Sequence, residues 1–246
     1  IRELDKKFDN FSMENYENGF LVNFLNFSVF LESAEEFFIL KEIFVENDYN
    51  FNSNSKAIII DIGTNIGIAS LFFSNLPYVE KIYCFEPVKE TYEQALFNFK
   101  INNAISKVTN IKNVGLGNKT REEFFVFDKS VKGNTGLRGK LSPSYSNNIN
   151  TVQISVQINN ASEELLKIID ENPNRKIVVK MDCEGAEYEI FENLKMSKLI
   201  DRIDVFMLEW HDRGEEEILN ILKMHGFDFL SKTLSPISGL IYAFKI

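Results

Sequence analysis

The segment AIIIDIG, residues 57–63, constrains the fold more than any other part of the chain. An unbroken apolar run rich in β-branched residues is the pattern of a strand covered on both faces, and such strands belong to parallel sheets flanked by helices. The neighbouring sequence repeats the theme. GIASLFFSNL has helical spacing, KIYCFEP (81–87) is a second strand stopped by Pro87, TYEQALFNFKIN is helical, and NIKNVGLG (110–117) reads as a third strand. Strand, helix, strand, helix, strand at this spacing predicts an α/β domain with a parallel sheet. The rhythm returns from residue 176 with the strand KIVVKMD, the helix GAEYEIFENL, the strand DVFMLEW (204–210) and the helix EEEILNILKMHG, ended by Gly226. FDFLSKT and GLIYAFKI then predict a closing antiparallel hairpin around Ser235-Pro236.

The flanks are less regular. FLVNFLNFSVFL (20–31) reads as two short strands around Asn26, and Ser33 with Glu36 forms a capping-box pattern ahead of the helical stretch SAEEFFILKEIFV. NDYNFNSNS (47–55) is polar and turn-rich. The expected organisation is a strand and helix extension over residues 1–54, packed on a core domain over residues 55–246. In the middle, REEFFVFD and TVQISVQI read as strands and ASEELLKIID as a helix. KGNTGLRGKLSPSYSNN (132–148) reads as a loop long enough to carry function.

Composition limits the partners. The 246 residues carry 27 basic and 36 acidic side chains, a net charge of -9. Nucleic acid is therefore not expected as a partner, since phosphate contacts need a basic face, and an anionic membrane surface is disfavoured for the same reason. No apolar run approaches a membrane span, and no basic-then-apolar leader is visible. Cys84 and Cys183 lie in apolar runs and are expected to be buried, reduced thiols. The chain opens on Ile1, which leaves room for an upstream segment; a cytoplasmic location is the default expectation. Oligomeric state is not written in the sequence.

The chemistry concentrates at the first crossover. DIGTNIG (61–67) sits where the first strand turns into the first helix, the place where open α/β sheets bind ligands. Gly63 permits a tight turn and Gly67 a close approach. Glu86 ends the next strand, about 20 residues on, where a carboxylate accepts hydrogen bonds from ribose hydroxyls. An adenosine-containing ligand is indicated. The glycines are spaced G-x-x-x-G around Asn65, not G-x-G-x-x-G, and Asp61 precedes them. An acid there is unwelcome beside a pyrophosphate and welcome beside the ammonium and sulfonium of S-adenosylmethionine. Val114 and Gly115, at the end of the third strand, complete the candidate cofactor wall.

These segments carry a family resemblance. IIIDIGTNIGIASLFF, CFEP, VVKMDCEGAEYEIFENL and FMLEWH, with the lead-in EIFVENDYNF, resemble the FkbM-type methyltransferases over roughly residues 40–230. KMDCEGAE, matching the family's KxDxEGxE block, is the most specific part. The resemblance implies a Rossmann-like class I methyltransferase fold: a mostly parallel seven-stranded sheet with one reversed edge strand, here supplied by the closing hairpin, plus an N-terminal α+β extension. It further implies S-adenosylmethionine as methyl donor and a hydroxyl on a sugar or secondary metabolite as acceptor. By motif, Asp61, Gly63, Asn65 and Gly67 would form the cofactor loop and Glu86 would hold the ribose. Two departures stand out: Thr64 where the family often has alanine, and NNASEELL, which lacks the aspartate of the usual T-x-L-D element.

Lys180 and Asp182 lie two apart on one strand and so share a face; Glu209 and His211 repeat the relation on the next. All four are expected to converge at the carboxyl edge, near the transferable methyl. His211 is the natural candidate base because its ordinary pKa lies near neutrality. Asp182 is the alternative, as base or as orienter of the acceptor, and Lys180 would neutralise the acids or steady an alkoxide. Asp182, Glu209 and His211 form an alternative divalent-metal set, less favoured than metal-free transfer. An internal ion-pair network with no catalytic part is the competing structural explanation. Glu187 and Glu189 read as first-turn acids favoured by the helix dipole. Arg138 and Tyr145 are weaker candidates for acceptor contacts. A silent adenosylmethionine-binding scaffold and, with less support, a nicotinamide-dependent oxidoreductase remain as alternatives.

Overall fold

A computed structural model describes residues 1–102, 106–138 and 151–245. The chain starts with helix α1 (Arg2–Lys7) and the antiparallel strands β1 (Ser12–Tyr16), β2 (Gly19–Phe24) and β3 (Phe27–Leu31). Helix α2 (Ala34–Lys41) follows, with the Ser33 hydroxyl accepting from the Glu36 N–H at 3.3 Å. The Glu36 carboxylate reaches back to the N–H of Glu32 instead of Ser33, a variant of the capping box. A π-helical turn, Glu42–Glu46, completes this part.

The central elements then alternate: β4 (Ala57–Ile62), α3 (Ile68–Ser74), β5 (Val79–Phe85), α4 (Lys89–Ile101) and β6 (Val108–Lys112). After a short excursion of β7 (Gly115–Gly117), β8 (Arg121–Phe127) and β9 (Val152–Asn160), the alternation resumes with α5 (Ala161–Glu171) and β10 (Lys176–Met181). Helix α6 (Glu187–Met196), strand β11 (Val205–His211), helix α7 (Glu216–Met224) and the hairpin β12 (Asp228–Ser235) and β13 (Ser238–Phe244) finish the chain. The main sheet has seven strands in the order β12-β13-β11-β10-β4-β5-β6. From β11 to β6 all pairings are parallel; β13 is antiparallel to both of its neighbours.

Side-chain alternation explains why the central strands are apolar throughout. Ile58, Ile60 and Ile62 of β4 join Val179, Phe206 and helices α5, α6 and α7 in one core; Ala57 and Ile59 face the other, with α3 and α4. Each face of a buried strand must be apolar because each meets a helix layer. The N-terminal segment belongs to the second core, through Phe24, Leu31, Leu40 and Phe44. Buried amides stitch it to α4: Asn98 accepts from the Phe30 N–H at 2.8 Å and donates to the Ile66 carbonyl at 2.9 Å.

Two expectations need correction. The reversed strand β13 is not the edge strand; it lies one place inside, and β12, running parallel to the rest, forms the edge. A hairpin must contain one strand of each direction, and hydrophobic alternation does not say which is outermost. The third strand is also not continuous. Residues 110–112 end β6 in the main sheet, while Gly115–Gly117 pair with β9 in a separate sheet of order β7-β9-β8.

Candidate active site

The turn after β4 is built for close approach. Gly63 has φ +76, and a Cβ there would meet the Asp182 carbonyl oxygen at 1.7 Å, so only glycine fits between the ends of β4 and β10. The Thr64 hydroxyl donates to the Asp61 carbonyl at 3.0 Å and accepts from the Phe85 N–H at 3.1 Å, bridging β4 to β5. Glu86, at the end of β5, is buried and accepts from the N–H groups of Asn65 and Val88, each at 2.9 Å. Burial pushes its carboxyl up to about 7 against these two hydrogen bonds. A carboxylate has about four acceptor positions, so two remain for a ligand.

Lys180 lies beneath this turn. Its ammonium donates to the Gly63 carbonyl at 2.6 Å and pairs with Asp61 at 3.3 Å, and both side chains are buried. Burial alone would depress the lysine; the charges of Asp61 and Asp182 overcome it and hold Lys180 above its ordinary value. Asp61 also accepts from the Ser70 hydroxyl at 2.5 Å.

The end of β10 and the start of α6 form the second half. Glu184 adopts φ +51, ahead of Gly185 at φ +102. Its Oε2 accepts from Arg138 Nη1 at 3.0 Å, and Arg138 in turn grips Asp212 through two hydrogen bonds of 3.0 and 2.8 Å. Glu187 is fully buried and accepts from the N–H groups of Cys183 (3.1 Å) and Gly185 (2.9 Å). It also meets His211 Nδ1 at 3.0 Å. An ionised carboxylate only accepts, so Nδ1 carries the proton. Burial opposes charge on His211, yet the hydrogen bond and charge of Glu187, with the charges of Glu184 and Asp182, lift it to about 10. Burial, with the Asp182 charge, pushes Glu209 up to about 8.

Two cavities meet here. The larger, about 250 Å³, is walled by the N-terminal segment (Glu35, Phe38, Glu42, Tyr49) and by Lys180, Asp182 and Glu209. The smaller, about 50 Å³, runs along Gly63, Glu86 and Gly115 with the apolar side chains of Ile62, Leu116, Phe125 and Ile158. Asn65, Gly133, Asp182 and Glu184 line both and form the neck between them.

The structure thus brings Gly63, Glu86 and Gly115 to one cavity, Lys180 and Glu209 to the other, and Asn65 and Asp182 to both. Asp61, Gly67, Val114 and His211 line neither. Asp61 is enclosed by Lys180 and Ser70, Gly67 makes room for the Phe99 ring of α4, and Val114 packs against the core. His211 has Nδ1 tied to Glu187 and turns Nε2 toward Glu184 and Glu209. Asp182, Glu184 and His211 offer ligand atoms within 4.8 Å of one another, whereas Glu209 stands beside that group, 3.6 Å from His211 Nε2. Arg138 braces Glu184, and Tyr145 lies outside the described residues. Sequence reasoning missed Glu187 as the partner of His211 and missed Tyr49. The first-turn helix pattern already explains an acid at 187, and Tyr49 lies in a polar, turn-rich segment; in the structure its ring is buried, with Lys180 Nζ 5.5 Å from the centroid.

Comparison with known proteins gives this arrangement a family. The model of the methyltransferase FkbM domain matches residues 61–229, more than half of the chain. The chain belongs to the FkbM methyltransferase family. It is a methyltransferase, and curated relatives carry the same activity in their names. Methyltransferase sdnD of Sordaria araneosa is 26% identical over 220 residues, covering 80% of this chain and 84% of that protein. Methyltransferase 1 of Beauveria bassiana (strain ARSEF 2860) is 27% identical over 186 residues, 69% of this chain and 72% of the relative. Among solved structures, an FkbM methyltransferase from Methylobacillus flagellatus KT superposes with a TM-score of 0.54 at 13% identity. That match covers 83% of this chain and 48% of the other, so this chain spans about half of that longer protein. At that identity the superposition speaks for the fold alone.

Proposed function

We propose that the protein transfers a methyl group from S-adenosylmethionine to a hydroxyl of a sugar or small metabolite in the cytoplasm. The observation that carries this reading is the pair of cavities joined at Asn65, Gly133, Asp182 and Glu184. The smaller suits the donor. Its apolar side chains fit an adenine face, Glu86 keeps two acceptor positions for ribose hydroxyls, and the acids at the neck favour a cationic methionine end. The 132–137 segment closes one side of the slot through Lys132, Gly133, Thr135 and Leu137. When bound, S-adenosylmethionine supplies an electrophilic methyl carbon: its bond to sulfur breaks, the electron pair stays on sulfur, and a carbon–oxygen bond forms to the acceptor.

The protein's own work is alignment and proton removal. Asp182, at the neck, orients the acceptor hydroxyl toward the donor. Glu209, on the wall of the larger cavity, takes the proton. His211, buried behind them, is a positioning residue that holds Glu184 and Glu187 in place. Lys180 keeps the turn after β4 against β10. Transfer of label from methyl-labelled S-adenosylmethionine to a panel of sugars and hydroxylated metabolites tests this. A labelled methyl ether is expected, with turnover falling by about 10²–10⁴ in Glu209→Gln. Label on nitrogen or carbon, or full turnover in that variant, would contradict the assignment.

A further inference from the structure

The charges at the neck do not balance. Lys180 is engaged with Asp61, Arg138 with Glu184 and Asp212, and His211 with Glu187. Asp182, Glu184 and Glu209 line one cavity together, with Glu209 3.6 Å from His211 Nε2. Asp182, Glu184 and His211 present ligand atoms within 4.8 Å of one another.

The imidazole makes this more than a group of acids. His211 is 3% exposed, its Nδ1 is tied to Glu187, and among the described residues its Nε2 meets only carboxylates, at ion-pair distance. That nitrogen points between Glu184 Oε1 at 3.5 Å and Glu209 Oε1 at 3.6 Å. Two of the three ligands are braced from outside. Arg138 holds the second oxygen of Glu184, and Glu187, fixed by the N–H groups of Cys183 and Gly185, sets the tautomer and plane of the imidazole. A carboxylate behind a histidine is the arrangement by which proteins orient metal-binding imidazoles.

We propose that Asp182, Glu184 and His211 bind one divalent cation of the magnesium–manganese class, at the junction of the two cavities. Two carboxylate oxygens and one imidazole nitrogen suit a hard to borderline ion, and three protein ligands leave positions open for water or for an acceptor oxygen. That the ion also acidifies an acceptor hydroxyl rests on the methyl-transfer reading; the site itself does not.

The test is equilibrium dialysis of the chelator-treated full chain against Mn²⁺, read by metal analysis and by manganese paramagnetic resonance. Saturable binding of one Mn²⁺ per chain is expected, retained in saturating S-adenosylmethionine. Asp182→Asn and Glu184→Gln should abolish it, and Glu187→Gln should weaken it by about 10–100-fold. The Asp182 side chain is half-buried, so circular dichroism of that variant separates loss of a ligand from loss of fold. Absence of stoichiometric binding overturns the proposal. So does binding that survives in folded Asp182→Asn, or Mn²⁺ displaced by S-adenosylmethionine, which would assign the acids to the sulfonium. Because the readout is metal content, failure here leaves the methyl-transfer reading to its own assay.

Discussion

Glu42 shows how single residues set the behaviour of the larger cavity. Its carboxyl lines the cavity, and burial, with the charges of Asp48 and Asp182, pushes it from its ordinary 4.5 to about 8. Glu35, on the same wall, is pushed up to about 7 by burial, although Gly133 N–H and the Asn134 amide donate to it. A carboxyl raised by folding holds its proton longer in the native state than in the unfolded one. The stability these two carboxyls contribute is therefore full below about pH 4.5 and is lost as pH rises toward their folded-state values. Melting followed by circular dichroism should show Tm declining between pH 5 and pH 8. Glu42→Gln should flatten that decline and raise Tm at pH 8 by about 2–4 °C, the equivalent of about 1 kcal/mol after discounting for solvent screening at this half-buried position. An unchanged slope would mean Glu42 is ionised throughout. At this scale the sequence was partly legible. The two-residue spacing of Lys180 with Asp182, and of Glu209 with His211, placed these residues at one edge. It did not show that Lys180 turns under the β4 loop, nor that His211 meets Glu187, because both facts depend on which charges are buried together.

Among the elements, the strap from Asp128 to Arg138 does the most to shape the site. It crosses the sheet edge between the two cavities and is pinned at both ends. Lys132 is buried, pairs with Glu32 and Glu36 of the N-terminal segment, and donates to Gln94 of α4; Arg138 is held by Glu184 and Asp212. Lys132→Met leaves Glu36, which is fully buried, without its countercharge. Removing one member of a buried pair costs about 3–5 kcal/mol, so a fall in Tm on the order of 10 °C is expected by calorimetry. A fall of under about 2 °C would show that water replaces the lysine at no cost. The alternation of the main sheet was readable because strands buried on both faces have little freedom in composition. The second sheet was not, since the chain leaves β6 at Asn113 and pairs Gly115 with Ile158, a contact 43 residues away that no local pattern announces.

For the molecule as a whole, the N-terminal segment, the main sheet and the strap enclose one site at the carboxyl ends of β4, β5, β10 and β11. The turn-rich stretch 47–55 reads as a boundary, yet Tyr49 within it is buried against the second core, and the segment before it supplies the outer wall of the larger cavity. Among the described residues no helix is long and apolar enough to cross a membrane. The central claim is that the slot along Gly63, Glu86 and Gly115 holds S-adenosylmethionine. Titration calorimetry of the full chain with S-adenosylmethionine, and separately with NAD, tests it most directly. One-to-one binding of the first and none of the second is expected. Affinity should fall by about 10–100-fold in Glu86→Ala, as expected for hydrogen bonds from ribose hydroxyls to a charged acceptor. Binding of NAD, no binding of S-adenosylmethionine, or affinity unchanged in Glu86→Ala would contradict it.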